Sequence, residues 1–590
     1  MARNTYNVDE DLEKGFDISQ FKRSFVYIRR YKKPLIIAFI VSIIAIICGL
    51  ILPLFTEHAI DTYIPDKDIK SLLIAGAGIV LTVIAQAICN KVRSRTVTIA
   101  GQSIIRDMRR DVYEHLQKLP FDYFDSRPHG KILIRVINNI NSVSDFLSNG
   151  FISMILETIS LVLIAGFMFY MHSGLALVVL CGFPVFGLFM FAIKKAQRRA
   201  WQIQANKQSN YTAYFSESIN GERVTQGFAR EKYNSDINKD LAAQASKGYV
   251  DAVSLNHAVW PVTMIISKFT IYLLYIIGVI YFRDTLKVGI IISMAAYAGR
   301  FWNPIQNISN QYNQLITTMS YLERIFQLLD EPVTVTDVPG AEPLPDIKGD
   351  VEFKDVLFEY EKGIPVLKEV SFHAAAGESI ALVGPTGAGK STIVNLVSRF
   401  YNLKGGQVLI DGHDISKATL LSIRSQMGIM LQDTFIFSGT IMDNIRYGRL
   451  DATDEECIAA AKRVFANDFI EKLPNGYQTV VNERGDMLSA GQRQLLSFAR
   501  TLLSDPKILI LDEATSSIDT NTELLVQEGI KELLKNRTSF IVAHRISTIK
   551  NCTRIMYISD GEIAEAGSHD ELMEKKGYYY DLYMSQLTNE

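Results

Sequence analysis

Residues 384–391 read Gly-Pro-Thr-Gly-Ala-Gly-Lys-Ser. That spacing is the Walker A pattern, and its chemistry is phosphate binding. Its glycines let successive backbone N–H groups turn inward and approach phosphate oxygens closely. Lys390 has the reach and charge for β- and γ-phosphates, and the Ser391 hydroxyl can hold Mg2+. Gly384, Thr386, Gly387, Gly389, Lys390, Ser391 and Thr392 are therefore candidate nucleotide contacts. A second run, Ile508-Leu-Ile-Leu-Asp512-Glu513, ends four apolar residues with two carboxylates. Asp512 can bind Mg2+ directly or through water, and Glu513 can polarise an attacking water as a general base. Together the two runs imply ATP and Mg2+ as cofactors.

Such residues work only if strands and helices aim them. An apolar strand, Ser379–Val383, precedes the glycine loop, and a helix is predicted over Thr392–Phe400. The helix N-terminus adds partial positive charge where phosphates would sit. The four apolar residues before Asp512 predict a buried strand. From Val351 onward short apolar strands alternate with helices, as in an α/β P-loop domain.

The first half of the chain is different. The chain has 590 residues and is 48% hydrophobic and 21% charged, but the apolar residues are concentrated in long runs. A membrane-crossing helix needs about 20 of them. Six runs qualify: Leu35–Leu54, Leu72–Cys89, Phe151–Met171, Leu175–Ile193, Val259–Phe282 and Val288–Ile308. The last is the least apolar. The first five read as nearly free of charge, with Lys268 the exception and expected to face the bundle interior.

Basic residues cluster before the first run and after the second and fourth, so the N-terminus and both long loops are expected on the cytoplasmic side. Outer connections are short, and the two inner ones run to roughly 60 residues. Ile18, Phe21, Phe25 and Ile28 recur at helical spacing, predicting an amphipathic helix on the inner membrane surface. Pro332, Pro339, Pro343 and Pro345 mark an interdomain linker. The expected division is a transmembrane domain over 1–330, a linker over 331–348 and an ATPase domain over 349–590.

Composition excludes some classes. A net charge of −2, with no basic face, gives no reason to expect nucleic acid. The five cysteines show no CxxC spacing, so neither a zinc nor a redox motif is expected. Met1–Lys33 is polar and charged, so no cleavable leader is expected. Asp9, Glu10, Asp11 and Glu13 argue against a mitochondrial leader, leaving a bacterial plasma membrane as the expected location.

At this point the chain resembles the ATP-binding cassette (ABC) exporter family, over nearly its whole length. Leu488-Ser489-Ala490-Gly491-Gln492 is similar to that family's signature, ahead of the Asp512 strand. The resemblance implies a bundle of six transmembrane helices followed by an α/β P-loop ATPase. It implies that Tyr360 stacks on adenine, that Gln432 lies near Mg2+ and water, and that Asp519 is the D-loop aspartate. It also implies that His544 contacts the γ-phosphate. A flat Tyr ring suits base stacking. His544 ends an apolar strand, where open α/β sheets bind ligands.

By the same resemblance, Ser489, Gly491 and Gln492 close the site on a second ATPase domain. One chain has one such domain, so a second half-transporter is expected, as a homodimer or a heterodimer. Ala490 and Asn482 stand where the family usually has glycine, which leaves both open. Short coupling helices are implied near Arg127–Arg135 and Ser216–Phe228.

The implied activity is ATP-driven export of a drug, lipid or peptide by alternating access. Arg300, Asn303, Asn307, Asn310 and Gln314 form one helical stripe on the sixth run. Of these, Arg300, Asn303 and Asn307 are the candidate substrate contacts. Pro304 is expected to kink that helix. The alternatives are a membrane-anchored ATPase regulator, which would need fewer spans, and an importer, which usually keeps the two domains on separate chains.

Overall fold

The computed structural model describes residues 18–125, 132, 137, 139–282, 286–361, 363–430, 434–482, 485–512, 520–543 and 549–589. Two compact units emerge: residues 1–117 with 129–331, and residues 118–128 with 332–590.

The first unit is helical. Five described helical segments are long and apolar enough to cross a membrane: Lys32–Tyr63, Ile69–Leu116, Ile140–Met171, Ser173–Asn220 and Glu231–Tyr281. The sixth expected span lies in one helix, Val288–Leu329, of 42 residues with Pro304 inside it. It is long enough to cross; its polar stripe is what lowers its apolarity. Helices Ile69–Leu116 and Gly182–Asn220 run on well past their apolar runs. Lys268, expected to face the interior, is exposed on this chain.

Backbone groups in hydrocarbon must find partners within the protein. Pro53 sits inside helix Lys32–His58. It has no N–H, so the Gly49 carbonyl one turn back loses its helical donor. Helix Val288–Leu329 supplies a replacement there and further donors to two nearby carbonyls. Arg300 donates to the Gly49 carbonyl, Tyr297 to that of Leu50, and Ser293 to that of Pro53 at 2.6 Å. In return Asp61 accepts from the N–H groups of Gly289 and Ile290 at 2.6 and 3.2 Å, capping the sixth helix. The first and sixth spans are thus stitched together by side chains on both.

The predicted amphipathic helix is Ile18–Arg30. Ser24 and Tyr27 are buried against the unit. Arg23 forms a two-pronged pair with Asp330 at 2.6 and 2.7 Å and lies over the Phe326 ring.

The second unit is layered α/β. A six-stranded sheet has the order β12-β11-β3-β10-β9-β6, where β3 is Ser379–Val383, β6 Met427–Met430, β9 Ile508–Asp512, β10 Thr538–Val542, β11 Arg554–Ser559 and β12 Glu562–Gly567. Strands β11, β3, β10, β9 and β6 are parallel, and β12 is antiparallel. Continuous apolar runs suit such strands, whose two faces are both covered. A second sheet, β2-β1-β4-β5, is built on β1 (Val351–Glu361), β2 (Ile364–Ala374), β4 (Gly405–Ile410) and β5 (His413–Asp414).

The proline-rich segment is not a free tether where it joins this unit. Leu344 and Ile347 are buried, and their N–H groups donate to Ser422 Oγ and Gln426 Oε1. Buried Arg399 holds the Thr336 and Ala418 carbonyls. The unit also includes the short helix Phe121–Asp125. Phe121 packs on Phe400, and the Tyr401 hydroxyl donates to Asp125 at 2.7 Å. Burial and that neighbouring carboxylate push the Tyr401 hydroxyl well above its usual pKa.

Candidate nucleotide site

Strand β3 is central in its sheet and buried, so the loop that leaves its carboxyl end is fixed at its base. Gly384 adopts φ 138°. A Cβ there would lie 2.1 Å from the Ile558 carbonyl oxygen, so only glycine fits. At the loop's far end Gly389 takes φ 109° and starts helix Lys390–Val397; a Cβ would press on Leu367 at 2.7 Å. Among the described residues no side chain caps that helix's first turn. Its leading N–H groups are the donors an anion needs.

Lys390 is 7% exposed. Its ammonium donates to the carbonyls of Gly384 and Pro385 at 2.9 and 2.8 Å, which bends the chain over the helix start. Burial holds its pKa below the usual lysine value, and the Asp512 charge works against that shift. Asp512 closes β9, paired with Val542 of β10, so its carboxylate shares the sheet edge with the loop. Thr386, Gly387 and Ser391 are exposed. Thr392 is buried, and its hydroxyl meets the Tyr360 hydroxyl at 3.2 Å. Tyr360 is 43% exposed, with Phe358 and Tyr401 packed edge-to-face against its ring. A supported, partly open aromatic face beside a phosphate-type loop can take a flat base.

The signature-like residues begin another helix, Ala490–Leu503. Ser489 Oγ accepts from the Gln492 N–H at 3.2 Å, and Gln492 Oε1 accepts from the Ser489 N–H at 3.0 Å. This is a reciprocal capping box. Leu488 is buried below it, and Arg493 donates to the Leu488 carbonyl at 2.6 Å. Gly491 is buried in the first turn, and Ala490 is the first residue of the helix with ordinary backbone. Ser489 is exposed. Among the described residues no hydrogen bond or ion pair joins this cap to the Gly384–Thr392 loop.

Gln432, Glu513, Asp519 and His544 lie outside the described residues. The strand ends just before three of them, Met430 of β6, Asp512 of β9 and Val542 of β10, belong to strands parallel to β3, of which β10 is its direct neighbour.

The substrate candidates belong to the helical unit. Arg300 is engaged by the Gly49 carbonyl. Asn303 and Asn307 are exposed, and Asn307 donates to Glu157 at 2.7 Å. The sequence reading missed Glu157, a carboxylate inside the third apolar run. Its signal was a single carboxylate in a run read as nearly free of charge. Arg500 was also missed. It clamps the segment after β6, donating to the carbonyls of Asn444 and Phe435 and lying over Phe437 and Tyr447.

The family description 'ABC transporter transmembrane region' matches residues 35–305, and the description 'ABC transporter' matches residues 367–516. An uncharacterised ABC transporter ATP-binding protein of Bacillus subtilis, YknV, is 39% identical, over 100% of this chain and 98% of its own. An ATP-dependent lipid A-core flippase of Syntrophus aciditrophicus is 32% identical, over 96% of this chain and 94% of its own. The solved structure of a bacterial Atm1-family ABC exporter with ATP bound superposes with a TM-score of 0.80 at 28% identity. It covers 95% of this chain and 98% of that one.

Proposed function

The chain belongs to the ABC transporter family, in the exporter arrangement that couples ATP hydrolysis to transport, and from that premise we propose how its own residues divide the work. The loop Gly384–Thr392 binds the triphosphate, with Tyr360 stacked on adenine. Lys390 leaves the Gly384 and Pro385 carbonyls for β- and γ-oxygens. Ser391, Asp512 and Gln432 would hold Mg2+, which would supply charge neutralisation on the phosphates. Glu513 takes the proton of the attacking water, with Gln432 and His544 orienting water and γ-phosphate. Asp519 lines the same site.

The observation that carries this reading is the buried Lys390 beneath a helix start that no described side chain caps. That arrangement leaves donors and charge converging on one exposed loop.

Ser489, Gly491 and Gln492 face the loop of a second chain, so two copies or two related chains enclose two nucleotides. ATP favours the closed pair, and hydrolysis resets it. The substrate is a drug, lipid or peptide, moved past Arg300, Asn303 and Asn307. The membrane is a bacterial plasma membrane, with the ATPase domain in the cytoplasm. The domains divide at 1–330, 331–348 and 349–590.

The test is ATP turnover and cargo uptake by the purified chain in inverted proteoliposomes. Glu513→Gln should bind Mg·ATP yet hydrolyse it at least about 100-fold more slowly. Full turnover by that variant would remove the proposed base. Turnover that stays first-order on dilution to isolated single chains would remove the paired site.

A further inference from the structure

Helix Phe151–Met171 carries one carboxylate, Glu157. Counted from the turn at His172, it lies about 22 Å along the helix, inside a hydrocarbon core about 30 Å thick. Ile164 and Met168, on the same stripe of that helix, are buried. Phe167 on this helix meets Tyr297 on the sixth, and Gly150 at its start lies against Gln311 of the sixth. Glu157 therefore stands on the seam between the third and sixth spans, half-buried rather than turned fully outward.

Its one described partner is neutral. Asn307 Nδ2 donates to Glu157 Oε1 at 2.7 Å, and among the described residues no cationic side chain pairs with it. Further along the same seam, Gln311 Oε1 is buried with no donor among the described residues. The seam thus presents carboxylate and amide oxygens in an apolar setting; Arg300, about two turns along the stripe from Asn307, is held by the Gly49 carbonyl instead. Ionisable groups inside a membrane mark the paths of substrates or ions. In a low-dielectric setting such a carboxylate attracts a cation far more strongly than it would in water.

We propose that Glu157, oriented by Asn307, is the specificity-determining anchor for a lipophilic cation, an apolar body carrying an ammonium or phosphonium charge. The proposal rests on the transport reading above and names the substrate class for it. Asn307 is a positioning residue: its amide fixes one carboxylate oxygen and leaves the other for the ligand.

The experiment is equilibrium binding to the full-length chain in nanodiscs. The probes are tetraphenylphosphonium and its anionic counterpart of matching shape, tetraphenylborate. The expected result is saturable binding of the cation, about tenfold weaker in Glu157→Gln and partly recovered in Glu157→Asp. The anion should show no such dependence. Cation binding that is absent in the unaltered chain, equal in Glu157→Gln, or matched by the anion would overturn the proposal.

Repeating the measurement in discs with and without an amine-headgroup phospholipid separates two sources of the same charge. Competition assigns the anchor to a lipid headgroup, and no competition assigns it to a soluble amphiphile. ATP turnover is read in the same discs. Its absence would count against the ATPase reading, whereas loss of charge selectivity with turnover intact would count against Glu157 alone.

Discussion

Helix Lys390–Val397 starts from a left-handed glycine, and no described side chain closes its first turn. Helix Ala490–Leu503 starts from Ser489 and Gln492, which close each other's backbone groups. The first arrangement keeps N–H donors available for an anion. The second uses them up locally, so its stability does not depend on a ligand. It also leaves the Ser489 hydroxyl hydrogen free to donate, because Oγ already acts as the acceptor for Gln492. Three other capping boxes in the same unit end in a carboxylate: Thr440 with Asp443, Thr453 with Glu456, and Ser568 with Glu571. The box at the signature-like residues ends in neutral Gln492. A carboxylate there would stabilise the helix start but repel a γ-phosphate. On the proposed reading, one helix start binds the phosphates and the other approaches without repelling them.

The largest expected effect is on the first helix start. Lys390→Ala should lower ATP turnover by about 100-fold or more, measured as phosphate release. Turnover within a few fold of the unaltered chain would break the comparison at its base. Gly384→Ala should abolish the rise in unfolding temperature that Mg·ATP produces, because its methyl group meets the Ile558 carbonyl. An unchanged rise would mean the loop can be rebuilt.

The second helix start is tested by Gln492→Glu. Turnover should fall about tenfold while the unfolding midpoint holds or rises, since Glu is a good partner in a capping box. Equal turnover would show that neutrality at Gln492 serves nothing. Ser489→Ala removes cap and donor together. It should cost about 1 kcal/mol of stability and lower turnover as well.

The smallest effect is acid sensitivity. Hydrogen bonds within their boxes hold the carboxyls of Asp443, Glu456 and Glu571 below their usual range. Folded values below unfolded ones mean that this stabilisation is complete above about pH 5 and lost as the pH falls below about 4. Unfolding midpoints recorded from pH 7 to 3 should be flat at first and then drop. The Ser489–Gln492 box should contribute nothing to the drop, so Gln492→Glu should steepen it slightly.

Local pattern was enough to read some of this and not the rest. Strand β3 was legible to the residue, because a serine and four apolar positions before a glycine loop have few other uses. The spanning helices were legible from apolarity, although Val288–Leu329 is diluted by its own polar stripe. The capping box is written in the sequence as Ser-x-x-Gln, but the glycine between the two gives the same run a second use that masks it. Contacts between distant segments were beyond reach. Nothing near Arg300 in the sequence points to the Gly49 carbonyl, and nothing near Asn307 points to Glu157. The proline-rich stretch read as a tether because composition alone hides the burial of Leu344 and Ile347.

Pro53 creates a need that Arg300 meets. The imino acid on one helix opens a carbonyl that the guanidinium on another answers. The need runs one way: alanine at position 53 would return a helical donor to an oxygen whose second lone pair still takes the guanidinium, whereas alanine at 300 beside the imino acid would leave a bare oxygen in oil. Lineages descending from this chain should therefore lose Arg300 only with or after Pro53.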